Sequence, residues 1–323
     1  MQTRLGPVGG LKSMQRVADS APQTVGLGLE SGQERPRLCT MGSVQPDSPL
    51  TLLMHTWQWH RWNNLPYLTC SLLEPWQHGF FTQQFWTHRP AELTRVLHPT
   101  AIPYQVKQVH GNTVLAPSEV EAIAGSILSP EQTTVPVDTP PPADGLITEQ
   151  QEQAVWVCSA DCVPVLIADG QTGQVAAVHA GWRGTAKKIV PQAIARLQAQ
   201  GSQLSDLRVA LGPAISGAVY QVAVAVAAEV GATIATVDPA DVTDALAALQ
   251  QIEDSPVLPD PEPGKVRLDV RRVNVLQLEQ LGLGSDQVAI APYCTYQTPD
   301  HFFSYRRSGE RKAQWSGIVS RAA

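Results

Sequence analysis

The chain has 323 residues, 43% of them hydrophobic, enough to bury a substantial core. Its formal net charge is −6 and its basic residues gather into no stripe, so the attraction to phosphate backbones on which nucleic-acid binders rely is missing. The longest apolar stretches, such as Ala154 to Val157 and Val163 to Ala168, fall far short of the roughly 20 residues of a membrane-spanning helix, and the five cysteines show no disulfide framework.

Residues 1–50 are rich in Gly, Gln, Ser and Pro and contain no aromatic residue, which predicts a disordered tail ahead of one catalytic domain over residues 51–323. Met41 and Met54 stand as alternative starts. Arg4, Lys12 and Arg16 are scattered and precede no compact apolar run, which argues against a secretory signal and for a cytoplasmic location with reduced thiols.

From Leu52 the pattern turns aromatic and alternating. Thr56 to Trp59 with Trp62, then Gly79 to Thr82, read as strands, and Tyr104 to His110 is a period-two run that places His110 at a strand end. A Pro-rich loop over 136–142 delivers Asp144-Gly145, and Leu146 to Thr148 resumes a strand. Ala154 to Cys158, Pro164 to Ala168 and Gln174 to His179 are apolar on both faces, as inner strands are, and His179 closes the last of them.

Ala180 to Thr185 reads as a Gly-bounded turn, followed by a helix that Pro191 places in its first turn near Val190. Leu207 to Leu211 reads as a strand, Val222 to Val230 and Asp241 to Ile252 as helices, and Asp254 to Gly264 as an acidic, Pro-rich loop. A helix over Val270 to Leu281 and strands at Val288 to Ala291 and Phe302 to Tyr305 complete an α/β chain without internal repeats.

Chemistry concentrates in His110, Cys162 and His179. Imidazole and thiolate are good zinc ligands, and three protein ligands leave a tetrahedral position open, the arrangement of a catalytic site. Their spacing matches no zinc-finger pattern, so spacing alone is weak. Asp144 and Asp161 stand near these donors and suit orienting a histidine or accepting a proton, although Asp is also a common turn residue. Arg183, close after His179, is the first candidate for holding phosphate and Arg306 the second; a carboxylate partner or solvent is the alternative for each. Arg306, Arg307, Arg311 and Lys312 form the one dense basic cluster, which suits a small anion or a solvated surface.

The strings Gln108-Val109-His110-Gly111, Ala143 to Thr148, Ser159 to Leu166 and Ala176 to Thr185, in that order, resemble the hallmark segments of the laccase-like family of zinc-dependent purine nucleoside phosphorylases, also called peptidoglycan editing factor. Leu211 to Ile215, Cys294-Thr295 and Phe303 to Arg307 extend the resemblance, which covers about residues 75–320. It implies a four-layer α/β/β/α sandwich with mixed sheets, a cysteine-hydrolase-like fold. It also implies one zinc per chain on His110, Cys162 and His179, with phosphate as co-substrate. The activity implied is phosphorolysis of adenosine, inosine, guanosine and methylthioadenosine, with adenosine deamination. Asp144, Asp161 and Arg183 are then the expected catalytic residues, and Tyr220 and Arg306 the expected substrate-binding ones.

The chain departs from the family pattern at three places. Gln83 stands in a segment where an arginine is common, Ser216 to Val219 carry no cysteine pair, and Ser308 breaks the usual Arg-Asp-Gly ending. A copper polyphenol oxidase is the less favoured alternative and copper is not expected, since the eight histidines include no His-X-His pair and the last methionine is Met54. A metal-free amide hydrolase editing peptidoglycan precursors, with Cys162 as nucleophile and His179 as base, is the rival enzyme, and it gives His110 no task. A structural metal site would need a fourth ligand from Cys294, Cys158 or an acid.

Overall fold

Fifteen strands and eight α-helices organise the described residues, 55–127 and 140–323 of the computed structural model. The expected tail over residues 1–50 and most of the Pro-rich loop lie outside them. In chain order the strands are Trp57–Trp62 (β1), Leu65–Cys70 (β2), His78–Phe81 (β3), Ile102–Gln105 (β4), Val114–Leu115 (β5), Gly145–Ile147 (β6), Gln153–Ser159 (β7), Val163–Asp169 (β8), Val175–Ala180 (β9), Leu207–Leu211 (β10), Gln221–Ala223 (β11), Val257–Pro259 (β12), Lys265–Leu268 (β13), Val288–Ile290 (β14) and Gln314–Val319 (β15). The helices are Pro90–Leu97 (α1), Pro117–Ile127 (α2), Trp182–Ala186 (α3), Ile189–Ala199 (α4), Val224–Gly231 (α5), Val242–Gln250 (α6), Val270–Leu281 (α7) and Tyr305–Ser308 (α8).

Two six-stranded mixed sheets run in the orders β1-β2-β3-β15-β7-β4 and β14-β10-β8-β9-β6-β5, and β11-β13-β12 form a small third sheet. Side-chain alternation along each strand assigns its faces. Val155 and Val157 of β7 share a core with Leu166 and Ala168 of β8 and Val175 and Ala177 of β9. The opposite side of β7, Ala154 and Trp156, packs with Leu93 and Leu97 of α1. Val163, Val165 and Ile167 of β8, with Ala176 and Val178 of β9, pack with Ile194 and Leu197 of α4 and Val273 and Leu278 of α7.

Register brings three chain segments to one sheet end. β9 pairs antiparallel with β8, Pro164 opposite His179, and with β6, Gly145 opposite Val178. Asp144, at the start of β6, Cys162, just before β8, and His179, near the end of β9, therefore meet.

Several local expectations are corrected. His110 does not close a strand: β4 stops at Gln105, because Lys107 turns to pair with Pro142 and the following N–H groups go to a side chain instead of a ladder. The turn after His179 contains the short helix α3, with Gly181 as its N-cap. The helix expected from Val222 begins at Val224, after β11, and the Pro-rich 254–264 segment contains β12. Phe302 to Tyr305 is no strand; the Ser304 hydroxyl caps α8 by accepting the Arg307 N–H, and Phe303 donates its N–H to the Gln314 side chain.

Candidate metal centre

Asp144 is fully buried, and its carboxylate organises the centre. Oδ1 accepts the His179 Nδ1–H at 2.9 Å and the His110 N–H at 2.9 Å, while Oδ2 accepts the N–H groups of Val109 at 3.1 Å and Gly111 at 2.6 Å. The Asp144 carbonyl also accepts the His179 N–H at 2.7 Å. One carboxylate thus fixes both the ring of one histidine and the backbone of the other. Burial pushes its carboxyl up, but these donors outweigh that and hold it below the usual range, as converging N–H groups do.

With His179 held through Nδ1, its Nε2 is left for another partner. The nearest donor atoms of His110, Cys162 and His179 lie within 4.8 Å of one another, the one such three-residue group among the described residues. Burial raises the Cys162 thiol, yet the charge of His179 and hydrogen bonds from His110 and His179 outweigh it and bring it down to about 6. Burial alone would lower His179; Cys162 and Asp144 raise it to about 9. Two imidazoles and a ready thiolate, one imidazole backed by a carboxylate, form a donor set that fits a borderline-soft divalent cation such as zinc.

Backbone choices make the close approach possible. A Cβ at Gly181 would lie 2.8 Å from Cys162 Sγ, so a side chain there collides with the thiol. A Cβ at Gly184 would lie 3.0 Å from the Gly111 carbonyl, so α3 rests directly on the His110 loop. The hallmark strings contain these glycines, but sequence reading singled out neither.

The other predicted residues sit around this group in different ways. Asp161 lies beside Cys162 at φ 89° and is buried. Its Oδ1 accepts from the Thr295 hydroxyl at 2.6 Å, its Oδ2 from the Arg306 N–H at 2.7 Å, and its carbonyl from the Ile215 N–H. It ties three distant segments to the ligand loop. Tyr220 lines a small cavity with Cys162, Gly181, Trp182, Ile215 and Val270. Burial first, then the charge of Cys162, pushes its phenol up to about 12, which keeps it protonated.

The Arg306 guanidinium lies 4.8 Å from the Tyr220 ring centroid and donates to the Gln221 carbonyl at 2.7 Å. Arg183 is exposed, stacks 4.4 Å from the Trp182 ring centroid and makes no ion pair among the described residues. Both guanidiniums act electrostatically on the Tyr220 phenol, which puts both within charge range of it. Two further members of the basic cluster are committed elsewhere. Arg307 donates to the carbonyls of Thr295, Tyr296 and Phe302, and Lys312 pairs with Glu310 at 2.8 Å. The cluster is therefore not one anion site.

A family profile described as multi-copper polyphenol oxidoreductase laccase matches residues 90–321. The chain belongs to this family. Within it, a purine nucleoside phosphorylase of Synechocystis sp. is 50% identical over 265 residues, covering 82% of this chain and 97% of the relative. An adenosine deaminase from an unknown prokaryotic organism is 29% identical, covering 51% of this chain and 57% of its own length. Among solved structures, YlmD from Geobacillus stearothermophilus matches with a TM-score of 0.63 at 24% identity, covering 81% of this chain and 98% of that one, a likeness of fold. No helix among the described residues is long and apolar enough to cross a membrane.

Proposed function

We propose that this protein is a zinc-dependent purine nucleoside phosphorylase that also deaminates adenosine, with adenosine, inosine, guanosine and methylthioadenosine as its substrates and phosphate as its co-substrate. The observation that carries the reading is the convergence of His110, Cys162 and His179 on one point, with Asp144 behind two of them. The half-identical phosphorylase of Synechocystis supports the phosphorolytic assignment, and the deaminase relative supports the second activity.

Zinc, when bound, supplies Lewis-acid activation of an oxygen or of water. The chain's own residues do the rest. Asp144 orients His179 and holds the His110 loop; Asp161 positions Cys162 and the start of α8. Arg183 and Arg306 hold phosphate beside the anomeric carbon, where positioning and charge stabilisation lower the barrier of a sugar that tolerates oxocarbenium character. Tyr220 places its ring and its protonated hydroxyl against the nucleoside. The mixed donor set, with no methionine and no His-X-His pair beyond Met54, favours zinc over copper despite the family's description.

The same reading takes residues 51–323 as one catalytic domain and the helices and sheets as the four-layer sandwich, supported by the separate cores on the two sides of β7, β8 and β9. The described cysteines are unpaired, which suits a reducing cytoplasm. A metal-free hydrolase remains the second reading, because Cys162, His179 and Asp144 also stand in the order of nucleophile, base and orienting acid.

Purified protein is incubated with adenosine, with and without phosphate, and the products separated, alongside elemental analysis and a Cys162→Ala variant. The expected result is about one zinc per chain and phosphate-dependent release of adenine, both lost in the variant. Full turnover by a zinc-free Cys162→Ala protein overturns the reading. Metal-free parent protein that reacts stoichiometrically with a thiol reagent at Cys162 and cleaves amides favours the hydrolase.

A further inference from the structure

The three donors are not held alike. Strand pairing fixes the His179 backbone, Cys162 immediately precedes the paired strand β8, and the His179 ring has Asp144 on its second nitrogen. His110 stands on an exposed loop at φ 59°, a left-handed conformation that an L-residue adopts only when its surroundings impose it. Its neighbour Val109 is 51% exposed, so apolar packing contributes little there. No carboxylate or carbonyl among the described residues accepts from its ring. Beyond its contacts with the Cys162 thiol and the edge of the His179 ring, the position of this imidazole is therefore set through its backbone.

Two side chains fix that backbone. Asp144 gathers the three successive N–H groups from Val109 to Gly111, a small anion-binding nest filled by a protein carboxylate. The other is Gln108. Its amide Nε2–H donates to the Cys158 carbonyl at 2.7 Å, and its Oε1 accepts the Cys158 N–H at 2.7 Å. Gln108 thereby satisfies both polar groups of one residue of β7, as a paired strand would, at the point where β4 has already ended at Gln105. It replaces the missing ladder and hangs the His110 loop on the rim of the first sheet.

We infer that Gln108 is a positioning residue for the metal, acting by holding the His110 loop against β7. It touches none of the donor atoms and is distinct from Asp144 in serving one ligand only. The inference rests on the metal-site reading above. Loss of a group that orients a ligand typically weakens metal binding about 10- to 100-fold.

The test uses the full chain with Gln108→Ala and Gln108→Glu, each titrated with zinc against a chromophoric chelator and melted with and without metal. Gln108→Glu keeps the acceptor for the Cys158 N–H and loses the donor, so its affinity should lie between those of the parent and of Gln108→Ala. The expected result is a 10- to 100-fold weaker zinc affinity in Gln108→Ala, with a metal-free melting temperature near the parent's and a smaller rise on adding zinc. Purine-base release measured at saturating zinc should recover most of its rate. Affinity within twofold of the parent in both variants overturns the inference. Should Gln108→Ala not fold, the ranking of Gln108→Glu against the parent decides it. A parent that binds no zinc refutes the metal-site reading instead, so the two failures are distinguishable.

Discussion

Replacing Gly181 with alanine isolates one contact at the centre. Gly181 has φ −71° and ψ 169°, an ordinary extended conformation, so alanine brings no backbone strain. Its Cβ would stand 2.8 Å from Cys162 Sγ, whereas the neighbouring distances, 3.5 Å to His110 Cδ2 and 3.7 Å to Cys162 Cβ, are ordinary contacts. Reaching an ordinary 3.4 Å requires the sulfur or the loop to retreat by about 0.6 Å. Metal–ligand distances tolerate about 0.2 Å. Zinc affinity should therefore fall by about 10- to 100-fold, or ~1.4–3 kcal/mol. Overpacking of a buried site costs folding stability about 1–3 kcal/mol as well. Both effects pass through one atom, which a double-mutant cycle exposes: in a Cys162→Ala background the collision partner is gone, and Gly181→Ala should cost almost nothing in denaturant unfolding of the metal-free protein. An equal cost in both backgrounds would refute the steric account, and unchanged zinc affinity in the single variant would show that the collision does not displace the sulfur from a metal-binding position.

Two other substitutions read different parts of the structure. Asp144→Asn keeps the shape but offers one acceptor oxygen where two serve four donors, and turns an N–H₂ toward backbone N–H groups. It should remove zinc and lower stability by about 3–5 kcal/mol, read as metal content and denaturation midpoint, since hydrogen bonds to a charged group contribute about 1.5–3 kcal/mol each. His78, on β3 and not among the candidate ligands, is buried, accepts the Cys70 N–H at Nε2 and donates from Nδ1 to the Trp76 carbonyl; burial lowers it to about 4. Because the unfolded chain takes up its proton near pH 6.5 and the folded one only near pH 4, stability is full above about 6.5 and falls as pH drops toward 4, by up to about 3 kcal/mol. His78→Gln, which can still accept the Cys70 N–H, should flatten that slope relative to the parent in denaturant titrations from pH 7 to 4.5; parallel curves would show that His78 is not the titrating group.

How far the residues disclosed this arrangement depends on the range of the interaction. Strand pairing is repetitive, so continuous apolar runs marked β7, β8 and β9 and set His179 at a strand terminus. The period-two run ending at His110 misled, because alternation reports which faces are apolar and not where backbone donors go. Residues 109–111 give their N–H groups to a carboxylate more than thirty positions along the chain. β15 escaped for a related reason: its Gly317 is required under the Trp156 indole, where a Cβ would lie 2.4 Å away, and glycine weakens any strand pattern.

Charge was equally deceptive. Density along the chain marked Arg306, Arg307, Arg311 and Lys312 as a group, yet Arg307 spends its donors on three carbonyls and Lys312 has an acidic partner two residues away. The cations proposed to hold phosphate, Arg183 and Arg306, are separated in sequence, and Asp161, lying next to Cys162, ties the Arg306 backbone to the ligand loop. A carboxylate expected to orient a histidine or accept a proton instead accepts from the Thr295 hydroxyl and the Arg306 N–H, joining their segments to the Cys162 loop. Asp144 does the same for the two histidines. The two acids between them fix every element that bears a proposed ligand or phosphate contact, except α3. That helix needs no acid, since it follows His179 within three residues and seats itself through Gly181 and Gly184 against the sulfur and the His110 loop.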